Sequence, residues 1–146
     1  MRRLFLVAIP LAAMVPASGS ASAPASDTVP ASAEATKPFN IGFVLYTKGK
    51  TSGTLKARWN YANAYSGSGV AVGASTSGGF SGHYHVRYFL ENGQFSDEYD
   101  LEIARHTPGQ FYDATWIVDG KVLARGVGME VQNGKGLAVG WRRVVD

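Results

Sequence analysis

From Phe39 onward, apolar and polar residues alternate along most of the chain. Between Gly82 and Leu90, for example, Tyr84, Val86, Tyr88 and Leu90 hold the even positions while His83, His85 and Arg87 hold odd ones. Period two marks a strand with one covered face and one wet face. Eight such runs, rich in β-branched and aromatic residues, are bounded by clusters of Gly, Asn, Asp or Pro, at 40–47, 54–61, 65–74, 80–90, 94–105, 110–118, 121–131 and 136–145. No stretch carries the i, i+3, i+4 spacing of an amphipathic helix. The connections are short, so consecutive runs pair antiparallel, because a parallel pair needs a long crossover.

Two connections carry strong hairpin signals, Asn92-Gly93 and Asp119-Gly120. Both dipeptides tolerate the positive φ of a two-residue type I′ turn. With Asn92-Gly93 at a tip, Tyr84 faces Leu101, Val86 faces Tyr99, Tyr88 faces Asp97 and Leu90 faces Phe95. The opposite face sets His83 against Glu102, His85 against Asp100 and Arg87 against Glu98. The aromatic face points inward and the charge ladder outward. Around Asp119-Gly120 the same logic places Trp116 against Leu123, Ala114 against Arg125 and Tyr112 against Val127, with the Trp116 face inward.

Trp59 and Trp116 lie 57 residues apart, and the same gap-free offset lays Gly69 on Gly126, Val70 on Val127, Gly79 on Gly136 and Tyr84 on Trp141. The pattern predicts one four-strand unit used twice. Half of such a sheet has unpaired edges and no complete core, so the expected fold is all-β, an eight-stranded antiparallel up-and-down β-barrel built from two four-strand repeats. The offset places Leu55, Ala57, Trp59, Val70, Val72, Leu137, Val139 and Trp141 inside, together with the small residues Ser68, Gly82 and Ala114. Eight strands enclose an interior that is either filled by side chains or holds one small ligand.

The segment before the barrel changes the setting. Arg2 and Arg3, the apolar stretch from Leu4 to Val15 and small residues from Ala17 to Ala23 read as a signal peptide, 1–23, cleaved after Ala21 or Ala23. Residues 24–38 are Ala, Ser, Pro and Thr with almost no large apolar side chain, which predicts a disordered linker. The barrel domain is then 39–146, and the expected location is secreted or periplasmic. The absence of cysteine excludes a lipoprotein anchor and any disulfide. Formal charge falls from +3 to +1 once the two leader arginines are set aside, with 12 basic against 11 acidic residues. That near-balance argues against a nucleic-acid partner.

An exported eight-stranded meander, with a Trp on an early strand at Trp59 and Arg142 and Arg143 on the last, resembles the calycin-type barrels, the lipocalins and avidins. The resemblance spans the whole domain and implies a small-molecule ligand in the barrel. The chain departs from the lipocalin signature, which has Gly two residues before the first Trp, where Ala57 stands here.

The expected ligand-binding set is Trp59, Tyr84, Tyr88, Tyr99, Tyr112, Trp116 and Trp141, with Arg125 and Arg143 as interior cations open to an acidic head group. An interior Arg needs an acid, backbone carbonyls or a ligand, and Asp97 is a possible partner. His83 and His85, with Asp100 and Glu102 opposite, form a candidate zinc site. The simpler reading is an exposed ion-pair ladder. No cofactor motif is found. The pairs Gly67/Gly69 and Gly126/Gly128 precede no helix and so build no phosphate cradle. With no His on the inner face, a Ser nucleophile lacks a base, so no enzyme is expected. Charged residues on the outer face oppose a lipid-facing barrel or any membrane span. The expected function is a soluble binding protein for a small, partly aromatic or amphipathic ligand. The alternative is a ligand-free protein-interaction or inhibitor module with a filled core.

Overall fold

The computed structural model describes residues 39–75, 78–106 and 111–145. The expected signal peptide and linker, and residues 107–110 at the junction of the fifth and sixth runs, lie outside the described residues. Eight strands follow one another: β1 (Gly42–Lys48), β2 (Thr54–Tyr61), β3 (Tyr65–Ser75), β4 (Gly82–Leu90), β5 (Phe95–Arg105), β6 (Phe111–Val118), β7 (Lys121–Val131) and β8 (Gly136–Arg143). Each pairs antiparallel with the next, and β8 returns to β1, closing the barrel. Closure leaves no free edge along the sheet, which suits a chain with no disulfide to brace it. Val44, Tyr46, Leu55, Val86, Leu101, Leu137 and Val139 form the buried interior, each contributed by the inward phase of its strand.

The β4–β5 body has the expected register, including His85 opposite Asp100 and Tyr88 opposite Asp97. Its tip does not. Gly93 N–H donates to Leu90 O at 2.8 Å and Leu90 N–H to Gln94 O at 2.8 Å, so the loop holds three residues, Glu91 to Gly93. Only Gly93 takes positive φ, at 83°, as in a type I turn followed by a left-handed residue. Asn92 acts instead through its side chain, whose Oδ1 accepts from Gln94 N–H at 2.9 Å. Phe89 therefore faces Phe95, and the extra residue Ser96 bulges to restore the expected register from Tyr88 inward.

The Asp119-Gly120 turn is the two-residue type expected, with φ of 50° and 75° and Val118 opposite Lys121. Beyond it, Leu123 is an extra residue: Ile117 faces Val122, but Trp116 faces Ala124 and Ala114 faces Gly126. This bulge reverses the faces of the rest of β7. Arg125 is therefore outside, opposite Thr115, and Val127 is 69% exposed, contrary to the inward expectation for both. The same correction applies to β3, where Val70, Val72 and Ser68 point out and Gly67, Gly69 and Ala71 point in.

The 57-residue offset does carry register through three strands: Val44–Trp59–Gly67 in one half corresponds to Leu101–Trp116–Ala124 in the other. It slips by four at the last. Gly69 faces Tyr88 and Gly126 faces Trp141, so Trp141 corresponds to Tyr88 and not to Tyr84.

The two ends of the barrel differ. At one, Phe80 precedes β4, is wholly buried, and packs edge-on against Tyr112 with ring centroids 6.2 Å apart. Tyr84 Oη donates to Phe80 O at 2.9 Å, Tyr112 Oη donates to Glu130 at 2.5 Å, and Lys48 Nζ donates to Gly78 O while lying over the Phe80 ring. Phe80 is the stopper of that end.

Candidate functional site

The opposite end is open. A cavity of about 710 Å³ enters there, lined by Trp59, Tyr61, Tyr88, Tyr99, Trp116, Trp141 and Arg143 among others. Alternation brings these rings inward from five of the strands, and missing side chains on neighbouring strands make room for them. A Cβ on Gly42 would lie 2.1 Å from the Trp141 ring, and one on Gly69 would lie 2.7 Å from the Tyr88 ring. Both glycines face their aromatic residue directly across the sheet. Their role in seating rings is one that sequence reasoning missed.

Hydrogen bonds and ring contacts fix the walls. Trp59 Nε1 donates to Ser68 O at 2.9 Å, and its ring meets Tyr88 edge-on at 6.0 Å. Tyr61 stacks on Trp141 at 5.3 Å, while Trp116 and Trp141 lie 6.1 Å apart. Such contacts add a little beyond area burial and hold each ring in one orientation. At the floor, Trp116 Nε1 donates to Tyr88 Oη at 2.8 Å, and the Tyr88 and Tyr46 hydroxyls are 2.6 Å apart. Burial pushes both tyrosine pKa values well up, so both hydroxyls stay protonated at neutral pH.

The rim is polar. Asn40 clamps the Arg143 backbone from both sides, accepting from its N–H at 2.8 Å and donating to its carbonyl at 2.9 Å. The guanidinium carbon sits 5.0 Å over the Tyr61 ring. Among the described residues no carboxylate lies within 4.0 Å of that guanidinium, so Asp97, although it lines the same mouth, is not its ion-pair partner. Ser96 Oγ donates to Asp97 at 2.8 Å. Burial raises the Tyr99 hydroxyl pKa, Asp97 raises it further and Arg143 opposes, which places all three on one electrostatic rim.

Of the expected ligand-binding set, Trp59, Tyr88, Tyr99, Trp116, Trp141 and Arg143 line the cavity. Tyr84 and Tyr112 do not; they belong to the stoppered end, where Phe80 and Glu130 engage them. Arg125 is outside because of the Leu123 bulge. The strand tips supply what the sequence reading left out, notably Tyr61, Tyr65 and Leu123, since only the shape of the mouth reveals them.

On the outer face, the His85 ring lies between Glu98 at 3.3 Å and Asp100 at 3.4 Å, and Arg87 reaches Glu98 at 3.7 Å. These are the rungs of an exposed ladder. Among the described residues no group of three or more His, Cys, Asp or Glu is arranged to hold a metal ion, and no helix is long and apolar enough to cross a membrane. Comparison with protein-family models, with curated proteins and with solved structures finds no match to this chain.

Proposed function

We propose that this chain is an exported, secreted or periplasmic binding protein that holds a small, partly aromatic or amphipathic ligand in the open end of its barrel. One observation carries the reading: an aromatic cavity of about 710 Å³ opens beside a guanidinium that has no carboxylate within 4.0 Å among the described residues. That volume falls within the usual few hundred to about 1,000 Å³ of small-molecule sites, and a few polar or charged groups, here Arg143 and Asp97 at the rim, among apolar walls are their usual composition. The ring system of the ligand lies between Trp59, Trp116 and Trp141, and an acidic head meets Arg143. The likeness to calycin-type barrels and the duplicated four-strand unit fit this reading as analogy.

The alternative, an interaction or inhibitor module with a filled core, has less support because the open half of the interior is not filled. The charged outer face of β4 and β5 supports an aqueous setting for the barrel, and the absence of an inner-face His supports binding over catalysis. The test is Arg143→Met titrated with 2-naphthoate by fluorescence. Loss of a charge-assisted hydrogen bond should weaken the complex by about 1.5 to 3 kcal/mol, roughly ten- to a hundredfold, with the unfolding midpoint unchanged. Equal affinity of wild type and variant would remove Arg143 from the site.

A further inference from the structure

The floor of the cavity has one proton more than its contacts can use. Three donors meet there, the Trp116 indole N–H and the Tyr46 and Tyr88 hydroxyls, but only two hydrogen-bond contacts join them. The indole donates to Tyr88 Oη, and the two hydroxyls share a single O–H···O contact of 2.6 Å. One hydroxyl proton is therefore left over whichever way that contact runs. If Tyr88 donated to Tyr46, the surplus proton would sit on Tyr46, which is 0% exposed, does not line the cavity and has no other acceptor among the described residues, the neighbouring Trp116 indole being a donor only. A buried donor without an acceptor is costly. If Tyr46 donates to Tyr88, both Tyr88 lone pairs are filled and the surplus proton belongs to Tyr88, which lines the cavity.

We infer that the Tyr88 hydroxyl is a free hydrogen-bond donor at the cavity floor, and that the ligand carries a proton-free acceptor at its inner end, a carbonyl oxygen foremost, to receive it. This deepens the binding reading and rests on it. An inner alcohol or amine is disfavoured, because its own proton would find both Tyr88 lone pairs occupied. Trp59 offers no competing donor, since its indole N–H is already held by Ser68 O. Burial holds the Tyr88 hydroxyl protonated far above neutral pH, so the donor persists across the ordinary range. With Arg143 at the rim, the preferred occupant is an aromatic carbonyl compound, acceptor inward and any acidic group outward.

The test uses 2-acetylnaphthalene and 2-ethylnaphthalene, which share ring and size but differ in the carbonyl. Both are titrated against the wild type and Tyr88→Phe, and the carbonyl stretch of the bound ketone is read by difference infrared spectroscopy. A neutral hydrogen bond predicts that the ketone-to-hydrocarbon affinity ratio falls roughly three- to tenfold in Tyr88→Phe. In the wild type the stretch should sit below its value in hexane. The infrared reading needs no variant, so it decides the matter even if Tyr88→Phe does not fold. Binding of both probes with an unshifted carbonyl, or an unchanged ratio, overturns the donor and leaves the cavity reading in place. Binding of neither probe overturns the cavity reading and this inference with it.

Discussion

Tyr46 and Tyr88 show how single side chains set both stability and site chemistry. Each presents a ring to the core and a hydroxyl to the other, and each is held neutral by burial, its pKa raised above the 10.0 of a free tyrosine. In the unfolded chain both ionise near that ordinary value, while the folded chain keeps its protons. The unfolded state then binds fewer protons, so stability is fully present below about pH 10 and falls as pH rises beyond it, by about 1.4 kcal/mol per pH unit for each tyrosine. Urea unfolding between pH 8 and 11 should show this decline. Tyr46→Phe should start from a lower midpoint and lose stability less steeply; a stability independent of pH over that range would contradict the buried hydroxyl pair.

At the scale of strands, what was legible depended on whether alternation had one phase or two. In β4, His83, His85 and Arg87 can only face out, and the register follows from them. In β7, Val122, Leu123 and Ala124 are three apolar residues in succession, so either phase buries something and the bulge at Leu123 leaves no mark on the pattern. Its consequence was large, since every side chain beyond it changes face. The offset held the missing clue, because Ala57 faces Gly69 and Ala114 faces Gly126 at the same separation. The glycines test this packing. A Cβ on Gly67 would fall 1.8 Å from the Phe89 carbonyl oxygen, so Gly67→Ala should force β3 from β4 and destabilise by about 1 to 3 kcal/mol or more. Gly140 is exposed on β8 with nothing within 4 Å of its Cβ position, so Gly140→Ala should change stability by no more than about 0.5 kcal/mol. Chemical denaturation of the two variants side by side reads the difference, and equal effects would mean that the β3–β4 approach is looser than described.

For the whole molecule, strand order was legible because short loops join neighbours, and closure because an open sheet would leave unpaired edges, but the division into a stoppered and an open end was not. Alternation fixes which face a residue takes, and says nothing of how far along the barrel axis an element from a loop reaches. Tyr84 and Tyr112 share the inward face with Tyr88 and Trp116, yet Phe80 closes over the first two and leaves the others bordering the cavity. The two ends should therefore answer to different substitutions. Phe80→Ala removes a wholly buried ring and should destabilise by about 3 to 5 kcal/mol. The folded fraction should still bind 2-naphthoate with near wild-type affinity, since Phe80 does not line the open cavity. Arg143→Met should do the reverse, keeping the unfolding midpoint while losing affinity. Calorimetry on both variants, at a temperature where Phe80→Ala remains folded, separates the two effects. If Phe80→Ala abolished binding in folded protein, the stopper would be part of the ligand site and the barrel would have to be treated as one continuous channel.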